Sequence, residues 1–419
     1  MSLTKATYSM IEGAPVNIVD FGASPSATAS ENDAAILAAV TYAKTLTNPK
    51  LVIPQGTFSI NATAVFDLPN YSSIECIGAF SSNANGCAVQ IGSASVNRFG
   101  YRVAGMKVTR TSVDTSAGSI GVQLRNTALA LIDIRAVSNF QTGVHLFADQ
   151  PNGGVSYCET HFGFIHNNKT NLFLEADGAA GGYVNQNSFF GGSFNHSTSY
   201  PAVATVNLEI GYDGVYSNNN NSFYSPSFED NSALAVAAVI NGANNLIVHP
   251  RVERTVDQAT YEIQFTVNSS ECQIIGNGFY TLPTNIDDLG SGNCYTTRAG
   301  TVYRAQAPDA AGGAVFAAQS NTASAAKVFV ARDTSAVDRG WIRGDGRMYS
   351  SLHGYFENGI RYSSSDGTAE DRGLFAGTGS PEGVITAAVG SLYVNKSGGA
   401  STTLYVKTSG TGNTGWTAK

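Results

Sequence analysis

Four similar stretches between Asn187 and Tyr280 limit most strongly what this chain can fold into. Each has a polar first residue, large apolar or aromatic residues, a break that contains Gly or Pro, and a second apolar residue. The stretches are NSFFGGSFN (Asn187 to Asn195), NSFYSPSFE (Asn221 to Glu229), NLIVHPRVE (Asn245 to Glu253) and CQIIGNGFY (Cys272 to Tyr280). Their first residues are 34, 24 and 27 positions apart. A unit of this size with insertions of variable length predicts a solenoid.

The composition agrees with a chain of many short strands. The 419 residues include 45 Gly, and only 13% are charged, which does not suit a helical enzyme. The net charge is -7, from 24 Lys and Arg against 31 Asp and Glu, and the chain has no basic run. Since a nucleic-acid groove needs clustered Lys and Arg, we expect no nucleic-acid partner.

The cysteines and the hydropathy pattern exclude further classes of protein. The five cysteines form no CxxC pair and are odd in number, which predicts reduced, mostly buried thiols and neither a zinc site nor a disulfide framework. No stretch approaches the ~20 apolar residues of a membrane span, and the N-terminus lacks the apolar segment of a signal peptide. We therefore expect no metal, no cofactor and no membrane insertion.

The N-terminal region predicts a strand followed by one amphipathic helix. Residues Val16 to Ala23 (VNIVDFGA) have the pattern of a strand that runs into a glycine turn. Residues Ser30 to Asp33 have the pattern of a capping box with Asp in place of Glu. A single helix before many strands is suited to covering the open end of a solenoid. The predicted apolar face of this helix consists of Ile36, Leu37, Val40 and Ala43.

The same region resembles a known family. The order VxDFGA, a short helix at Ala34 to Ala39, and VIPxGTF is similar to the N-terminal part of the pectate-lyase-like right-handed parallel β-helices found in bacteriophage tailspikes. The matching residues are Val16, Asp20, Phe21, Gly22, Ala23, Pro54, Gly56, Thr57 and Phe58. The chain departs from the family after Ala23, where SPSATASEND replaces the usual Gly-Asp-Gly stretch. The resemblance implies an all-β fold, a right-handed parallel β-helix with a short N-terminal capping helix.

Two interleaved strand series predict a coil with at least two sheets whose strands stack about 4.8 Å apart. Members of the first series before Asn187 are Val103 to Val108, Leu131 to Val137 and Cys158 to Phe164. The second series is Ile120 to Leu124, Gly143 to Phe147, Asn171 to Glu175, Val206 to Ile210, Ala235 to Ile240 and Tyr261 to Phe265. The predicted interior residues are Phe189, Phe194, Phe223, Phe228, Ile247, Val252, Ile274 and Phe279. The run Asn218 to Asn221 is either an internal Asn ladder or a turn, and the turn is favoured.

Changes in composition and strand pattern divide the chain into four regions. Residues 1–15 are predicted to be a virion-attachment leader, 16–70 the first strand and capping helix, 71–299 the β-helix with inserted loops, and 300–419 a β-rich C-terminal region. The insertions, at Asp149 to Ser156, Ala176 to Gln186, Ser197 to Thr205 and Tyr212 to Asn220, predict a binding region. The end, Gly390 to Lys419, pairs GSLYV with TTLYV and resembles the C-terminal module of phage tail fibres, which implies a homotrimer.

Carboxylates are the candidate catalytic groups. Glu229 and Glu253 occupy the same place on successive units, 24 residues apart, which predicts backbones about 5 Å apart. Two carboxylates that close favour one protonated and one ionised group, which is what glycosidic cleavage uses. Alternatively, these side chains are solvated groups just beyond buried strand ends. Asp230 and Asp257 are further catalytic candidates, and the substrate-binding candidates are Arg251, Arg254, Tyr224, His249 and Glu159. Either Arg251 or Arg254 is expected to hold a sugar acid or to neutralise the carboxylate pair.

The resemblance and the carboxylates together predict a trimeric tailspike that recognises host lipopolysaccharide or capsular polysaccharide and depolymerises it by acid/base glycoside hydrolysis. A lyase is less favoured, because the sequence shows no Lys/Arg/Asp cluster for that chemistry. The alternative is an adhesin or structural tail fibre protein that only binds the glycan. We expect the protein to be assembled in the host cytoplasm and to bind tail, baseplate or adaptor proteins through its N-terminus in the virion tail.

Overall fold

A computed structural model of the chain describes two units separately, Met1–Ala305 and Gln306–Lys419. In the first unit the described residues are 13–196, 205–211, 218–230, 235–254, 262–276, 286–290, 292–297 and 300–304. In the second unit they are 315–318, 327–332, 338–343, 348–350, 360–362 and 372–419. Most of the predicted leader and of the insertions Ser197 to Thr205 and Tyr212 to Asn220 lies outside the described residues.

The first unit is a right-handed parallel β-helix, which confirms the predicted fold. Three parallel sheets, here named A, B and C, run along its axis. Sheet A contains Val16–Asn17, Lys50–Ile53, Thr57–Ile60, Ser73–Cys76, Ala79–Ser82, Arg102–Thr109, Leu131–Ser138, Glu159–His166, Ser188–His196, Ser222–Tyr224, Ser227–Asp230, Leu246–Val248, Arg251–Arg254, Gln273–Ile275 and Cys294–Thr297, and Gly300–Arg304 pairs antiparallel with its last strand.

Sheets B and C complete each turn of the coil. Sheet B contains Ala64–Phe66, Cys87–Gly92, Ile120–Arg125, Thr142–Ala148, Thr170–Ala176, Thr205–Ile210, Ala235–Ala243, Ile263–Ser270 and Ile286–Asp288. Sheet C contains the short strands Arg98–Phe99, Thr127–Ala128, Gly154–Ser156, Tyr183–Asn185 and Asn218–Asn219. Short 3-10 helices lie at Ile18–Phe21 and Gly178–Ala180. The sequence pattern had identified sheets A and B but not sheet C, because strands of two or three residues carry no periodicity.

The register of sheet A confirms the repeat. Ser188 lies opposite Ser222, 34 positions later, and Ser222 lies opposite Leu246, 24 positions later. Inward side chains alternate with outward ones, so residues of the same kind stack in the interior. The predicted interior residues Phe189, Phe194, Phe223, Phe228, Ile247, Val252 and Ile274 are all buried. Phe279 lies outside the described residues.

An internal asparagine ladder replaces the turn that was favoured for Asn218 to Asn221. Asn187 Nδ2 donates to Asn221 Oδ1 at 3.0 Å, and Asn221 Nδ2 donates to Asn245 Oδ1 at 3.2 Å. All three side chains are buried. The turn interpretation is therefore wrong for Asn221, because the first residue of the first three stretches lies inside the coil and forms a hydrogen bond with its equivalent on the next rung, that is, the next turn of the coil.

A left-handed residue precedes the first sheet A strand on several rungs, directly before each ladder Asn and before Cys158. The φ angles are 54° at Tyr157, 55° at Gln186, 53° at Asn220 and 55° at Asn244. This conformation suits Asn and costs more for the larger side chains. The cost is tolerated where the next residue, such as Asn187 after Gln186, gains buried hydrogen bonds.

The N-terminal helix begins earlier than the sequence predicted. It spans Ala29–Ala43, and Thr28 is its N-cap, forming a full capping box with Glu31. The predicted box at Ser30 to Asp33 is therefore wrong. The predicted face is wrong at Leu37, which is 68% exposed, since it follows Ile36 by about 100° around the helix. Ile36, Val40 and Ala43 are buried as predicted, and the helix packs against strands of the first rungs.

The second unit contains antiparallel strands and a five-stranded C-terminal sheet, named sheet D. The antiparallel strands are Val315–Ala318, Lys327–Arg332, Asp338–Arg343 and Met348–Ser350. Sheet D contains Ile360–Tyr362, Arg372–Gly377, Leu392–Asn395, Leu404–Lys407 and Trp416–Ala418. Tyr393 lies opposite Tyr405, which confirms the predicted pairing of GSLYV with TTLYV. Phe375, Tyr393, Tyr405 and Trp416 form the buried core of this sheet.

We expect Asn221→Ala to lower the free energy of unfolding by about 1–3 kcal/mol, because it removes the buried Oδ1 that accepts from N and Nδ2 of Asn187 and the Nδ2 that donates to Val184 O and Asn245 Oδ1. Urea denaturation followed by far-UV circular dichroism measures the change. Asn220→Gly is the matched control, since Asn220 is exposed and its left-handed φ suits glycine. Equal stability of Asn221→Ala and the wild type would contradict the role of the ladder.

Candidate functional site

A bend divides the outer surface of sheet A into two strips. Left-handed residues lie at the bend on several rungs, with φ of 75° at Gly105, 64° at Gly191, 53° at Ser225 and 49° at His249. At Gly105 a Cβ atom would lie only 2.5 Å from the carbonyl oxygen of Cys76, so only glycine fits. The side chains of the first strip, before the bend, lie beside a concave groove.

The groove exists because outward side chains change size from one rung to the next. Asp133 lies opposite His161, His161 opposite Phe190, and Phe190 opposite Tyr224. The last three rings stack with centroids 5.1 Å apart and planes 17° and 15° from parallel. On the two rungs before His161, the outward side chains nearest this column are the shorter Asp133 and Ala104. The stack therefore ends at the imidazole of His161, beside an open groove of about 610 Å³.

Two carboxylates line this groove, and each uses one oxygen for an internal hydrogen bond. Asp133 Oδ2 accepts from Arg135 Nε at 2.8 Å and from the backbone N–H of Gly105 at 3.3 Å. Glu159 Oε1 lies 2.8 Å from His161 Nε2. Within the described residues, Asp133 Oδ1 and Glu159 Oε2 have no hydrogen-bond partner. Both oxygens are therefore available to a ligand.

Arginine and lysine side chains also line the groove and its extension. Arg102 lines it and forms no ion pair with any described residue. A second concavity of about 470 Å³ shares Asp133 and Arg135 with the first and extends to Glu75 and Lys107. The two form one track along the coil axis, with space for several groups of an extended ligand.

The structure places Glu229 and Glu253 opposite each other on neighbouring strands, in the predicted register. Arg251 lies between them: its Nη1 donates to Glu229 Oε1 at 3.1 Å, and its Nη2 donates to Glu253 Oε2. Glu229 also accepts from Ser193 Oγ at 3.3 Å and from Asn195 Nδ2 at 3.1 Å. These donors occupy both oxygens of Glu229 and one oxygen of Glu253, and the catalytic role of the pair stays a prediction.

The other predicted site residues are distributed over the same surface. Tyr224 is the last ring of the stack, and Glu159 lies in the groove. His249 lies at the bend, where a Cβ on Gly276 would be 2.4 Å from its ring. Asp257 lies outside the described residues, as do the side chains of Asp230 and Arg254.

Sequence reasoning missed Asp133, Arg135, Arg102 and Phe190. The number of residues per rung contained the information needed to find them. His161 follows Asp133 by 28 positions and Phe190 follows His161 by 29, so the three lie opposite one another on successive strands. Extending the alignment of the later repeats to these earlier rungs would have placed the four side chains on one surface.

Two further carboxylates, on sheet B, lie away from the groove. Glu175 Oε2 is 2.8 Å from Nε2 of the buried His145, which stacks on Phe147 and Phe173. Burial raises the pKa of the Glu209 carboxyl, and the nearby Glu175 acts in the same direction. These groups belong to sheet B, so they do not join the sheet A site.

We expect Glu209→Gln to raise the melting temperature at pH 7, because the raised pKa means that ionised Glu209 disfavours the folded state. The stabilising effect of protonated Glu209 is fully present below the unfolded pKa of about 4.3 and is lost as pH rises through the folded pKa. The difference between variant and wild type should therefore vanish near pH ~4, as measured by calorimetry. Glu271→Gln, at an exposed position, controls for net charge. A variant that melts below the wild type at pH 7 would contradict this account.

No family model and no curated protein matches the chain. Solved structures do share its fold. A protein of Geobacillus virus E2, ORF18, aligns over 97% of this chain and 85% of its own length, with 14% identity and a TM-score of 0.53. Tailspike protein 2 of Escherichia coli O157:H7 bacteriophage CAB120 aligns over 67% of this chain and 42% of its own, with 13% identity and a TM-score of 0.45.

A DFA-IIIase variant from Arthrobacter chlorophenolicus A6 aligns over 66% of this chain and 82% of its own, with 12% identity and a TM-score of 0.35. At 14% identity and a TM-score of 0.53, the likeness to ORF18 shows the fold alone. Among the described residues, no helix is long and apolar enough to span a membrane, and no group of three or more His, Cys, Asp or Glu side chains is placed to hold a metal ion.

Proposed function

We propose that the chain is a receptor-binding protein of a bacteriophage tail that binds a host cell-surface polysaccharide in the sheet A groove and depolymerises it by glycoside hydrolysis. The phage assignment is supported by the resemblance of Val16 to Phe58 and of Gly390 to Lys419 to tailspike and tail fibre sequences. The likeness to a viral protein adds the fold alone.

The proposal rests on the His161 ring at the end of the aromatic stack. One face of this ring packs on Phe190, and the other face is open to the groove. A sugar ring packs its C–H face on such a surface, and hydroxyl groups bind carboxylate oxygens and arginines. Here Asp133 Oδ1, Glu159 Oε2 and Arg102 surround that face without partners among the described residues. The arrangement suits a polar, uncharged ring better than an apolar ligand.

The alternative function is that of an adhesin that binds the same polysaccharide without cleaving it. Both functions use the groove, so binding does not distinguish them. Release of new reducing ends from host lipopolysaccharide or capsule supports hydrolysis, whereas binding without release supports the adhesin.

An exposed apolar face on sheet D supports the proposed homotrimer. Leu392, Val394 and Leu404 point away from the aromatic core and are 37–39% exposed. Leu392 lies opposite Leu374 on one neighbouring strand and Val406 on the other, so the aliphatic side chains form a continuous surface. Other copies of the chain would bury it.

We expect His161→Ala to weaken binding of host polysaccharide about 10-fold, since the variant loses the ring on which the sugar packs. Isothermal titration calorimetry with polysaccharide extracted from the host measures the change. Phe164→Ala is the matched control, because Phe164 is an exposed ring on the same strand but stacks on His166 outside the groove. Equal losses in both variants would contradict binding at His161.

We expect the wild type to have three times the 43.7 kDa chain mass in light scattering, and Leu392→Lys with Leu404→Lys to shift it towards the monomer. Charged side chains on the aliphatic face oppose its burial. Val384→Lys is the control, because Val384 is 70% exposed and lies outside that face. A monomeric wild type, or a trimer that the double variant leaves intact, would contradict this interface.

A further inference from the structure

We propose that Glu159 and Asp133, and not Glu229 and Glu253, hydrolyse the glycosidic bond, with Glu159 as general acid and Asp133 as general base. The inference rests on the proposed function, namely that a polysaccharide occupies the sheet A groove. It assigns the chemistry to residues that line the groove and have oxygens free to contact the substrate.

The strand register sets the backbone spacing of the two residues. Asp133 lies opposite His161, which is two residues beyond Glu159 on the next rung. One rung of about 4.8 Å and two residues of about 6.6 Å along the strand place the Cα atoms of Asp133 and Glu159 about 8 Å apart, and both side chains line the same groove. Inverting glycosidases hold their carboxyl groups about 6.5–9.5 Å apart, which leaves room for a water molecule. The predicted stereochemical outcome is inversion.

The surroundings of the two carboxyl groups differ, and the difference assigns their roles. Asp133 accepts from the Arg135 guanidinium and from a backbone N–H, and both donors fix the direction of its carboxylate while Oδ1 stays free to accept. Glu159 has no Arg or Lys partner among the described residues, and its one contact is the imidazole of His161. Asp133 therefore suits the base, and Glu159 suits the acid.

The reaction consumes one water molecule. Glu159 gives its proton to the glycosidic oxygen as the bond from that oxygen to the anomeric carbon breaks. A water oxygen bonds to the anomeric carbon from the opposite side and gives its proton to Asp133. Proton exchange with solvent then returns both groups to their initial state. The Glu159 side chain is 54% exposed, so this exchange with solvent is direct.

The alternative pair lacks these properties. Both oxygens of Glu229 already accept hydrogen bonds, from Ser193, Ser227 and Arg251 at Oε1 and from Asn195 at Oε2. A substrate or water would have to displace these donors. Arg251 also lies between the two carboxylates and donates to both, so a substrate would have to displace it.

The test compares Asp133→Asn and Glu159→Gln with Glu229→Gln and Glu253→Gln, which change charge in the same way on the same sheet. Release of reducing ends from host polysaccharide and binding by calorimetry are measured for each variant. We expect Asp133→Asn and Glu159→Gln to lower kcat about 100-fold or more, a loss well beyond the weakening of binding measured for the same variants. Glu229→Gln and Glu253→Gln should keep wild-type kcat, and NMR of the first product should show inversion.

Loss of kcat in Glu229→Gln or Glu253→Gln, with activity kept in Asp133→Asn and Glu159→Gln, would overturn the assignment. A wild type that binds polysaccharide and releases no reducing ends would also overturn it, while receptor binding would stand. A wild type that binds no host polysaccharide would instead remove the proposed function. Retention of configuration in the product would refute the roles given to the two carboxyl groups.

Discussion

In-register parallel pairing of successive rungs is the constraint on which the rest of this structure depends. Each strand hydrogen-bonds to the equivalent strand about 4.8 Å away, so each side chain lies over its equivalent on the next rung. Inside the coil this places Phe189 over Phe223 with ring centroids 4.6 Å apart. Burying such a ring contributes about 1.5–3 kcal/mol to the free energy of folding. The same contribution recurs on rung after rung, so the stacked interior stabilises the whole length of the coil.

The same pairing has a second consequence at the corners. A polar side chain inside the coil needs a partner, and the equivalent group on the next rung is close enough to provide one. The ladder of Asn187, Asn221 and Asn245 meets this need by hydrogen bonds between identical amides. On the outer surface, pairing places functional groups in columns. A change in side-chain size along one column, from the His161 ring to the shorter Asp133, opens the groove.

The spacing of 24 residues between NSFYSPSFE and NLIVHPRVE was enough to predict the coil, the buried Phe223 and Phe228, and the register of Glu229 with Glu253. The sequence did not predict Asn221 as a ladder residue, because a run of four Asn residues is equally typical of a turn. It offered Arg251 or Arg254 as the group that neutralises the pair, and the structure places Arg251 between the two carboxylates. The groove was missed because it depends on small residues, such as Ala104, that carry no chemical signal.

A structure of the full chain with an oligosaccharide from the host polysaccharide tests the central claim most directly. The account predicts a sugar ring on the free face of His161, with its glycosidic oxygen near Glu159 and a water molecule near Asp133. An oligosaccharide bound over Glu229 and Arg251, or on sheet B, with the His161 groove empty, would contradict it.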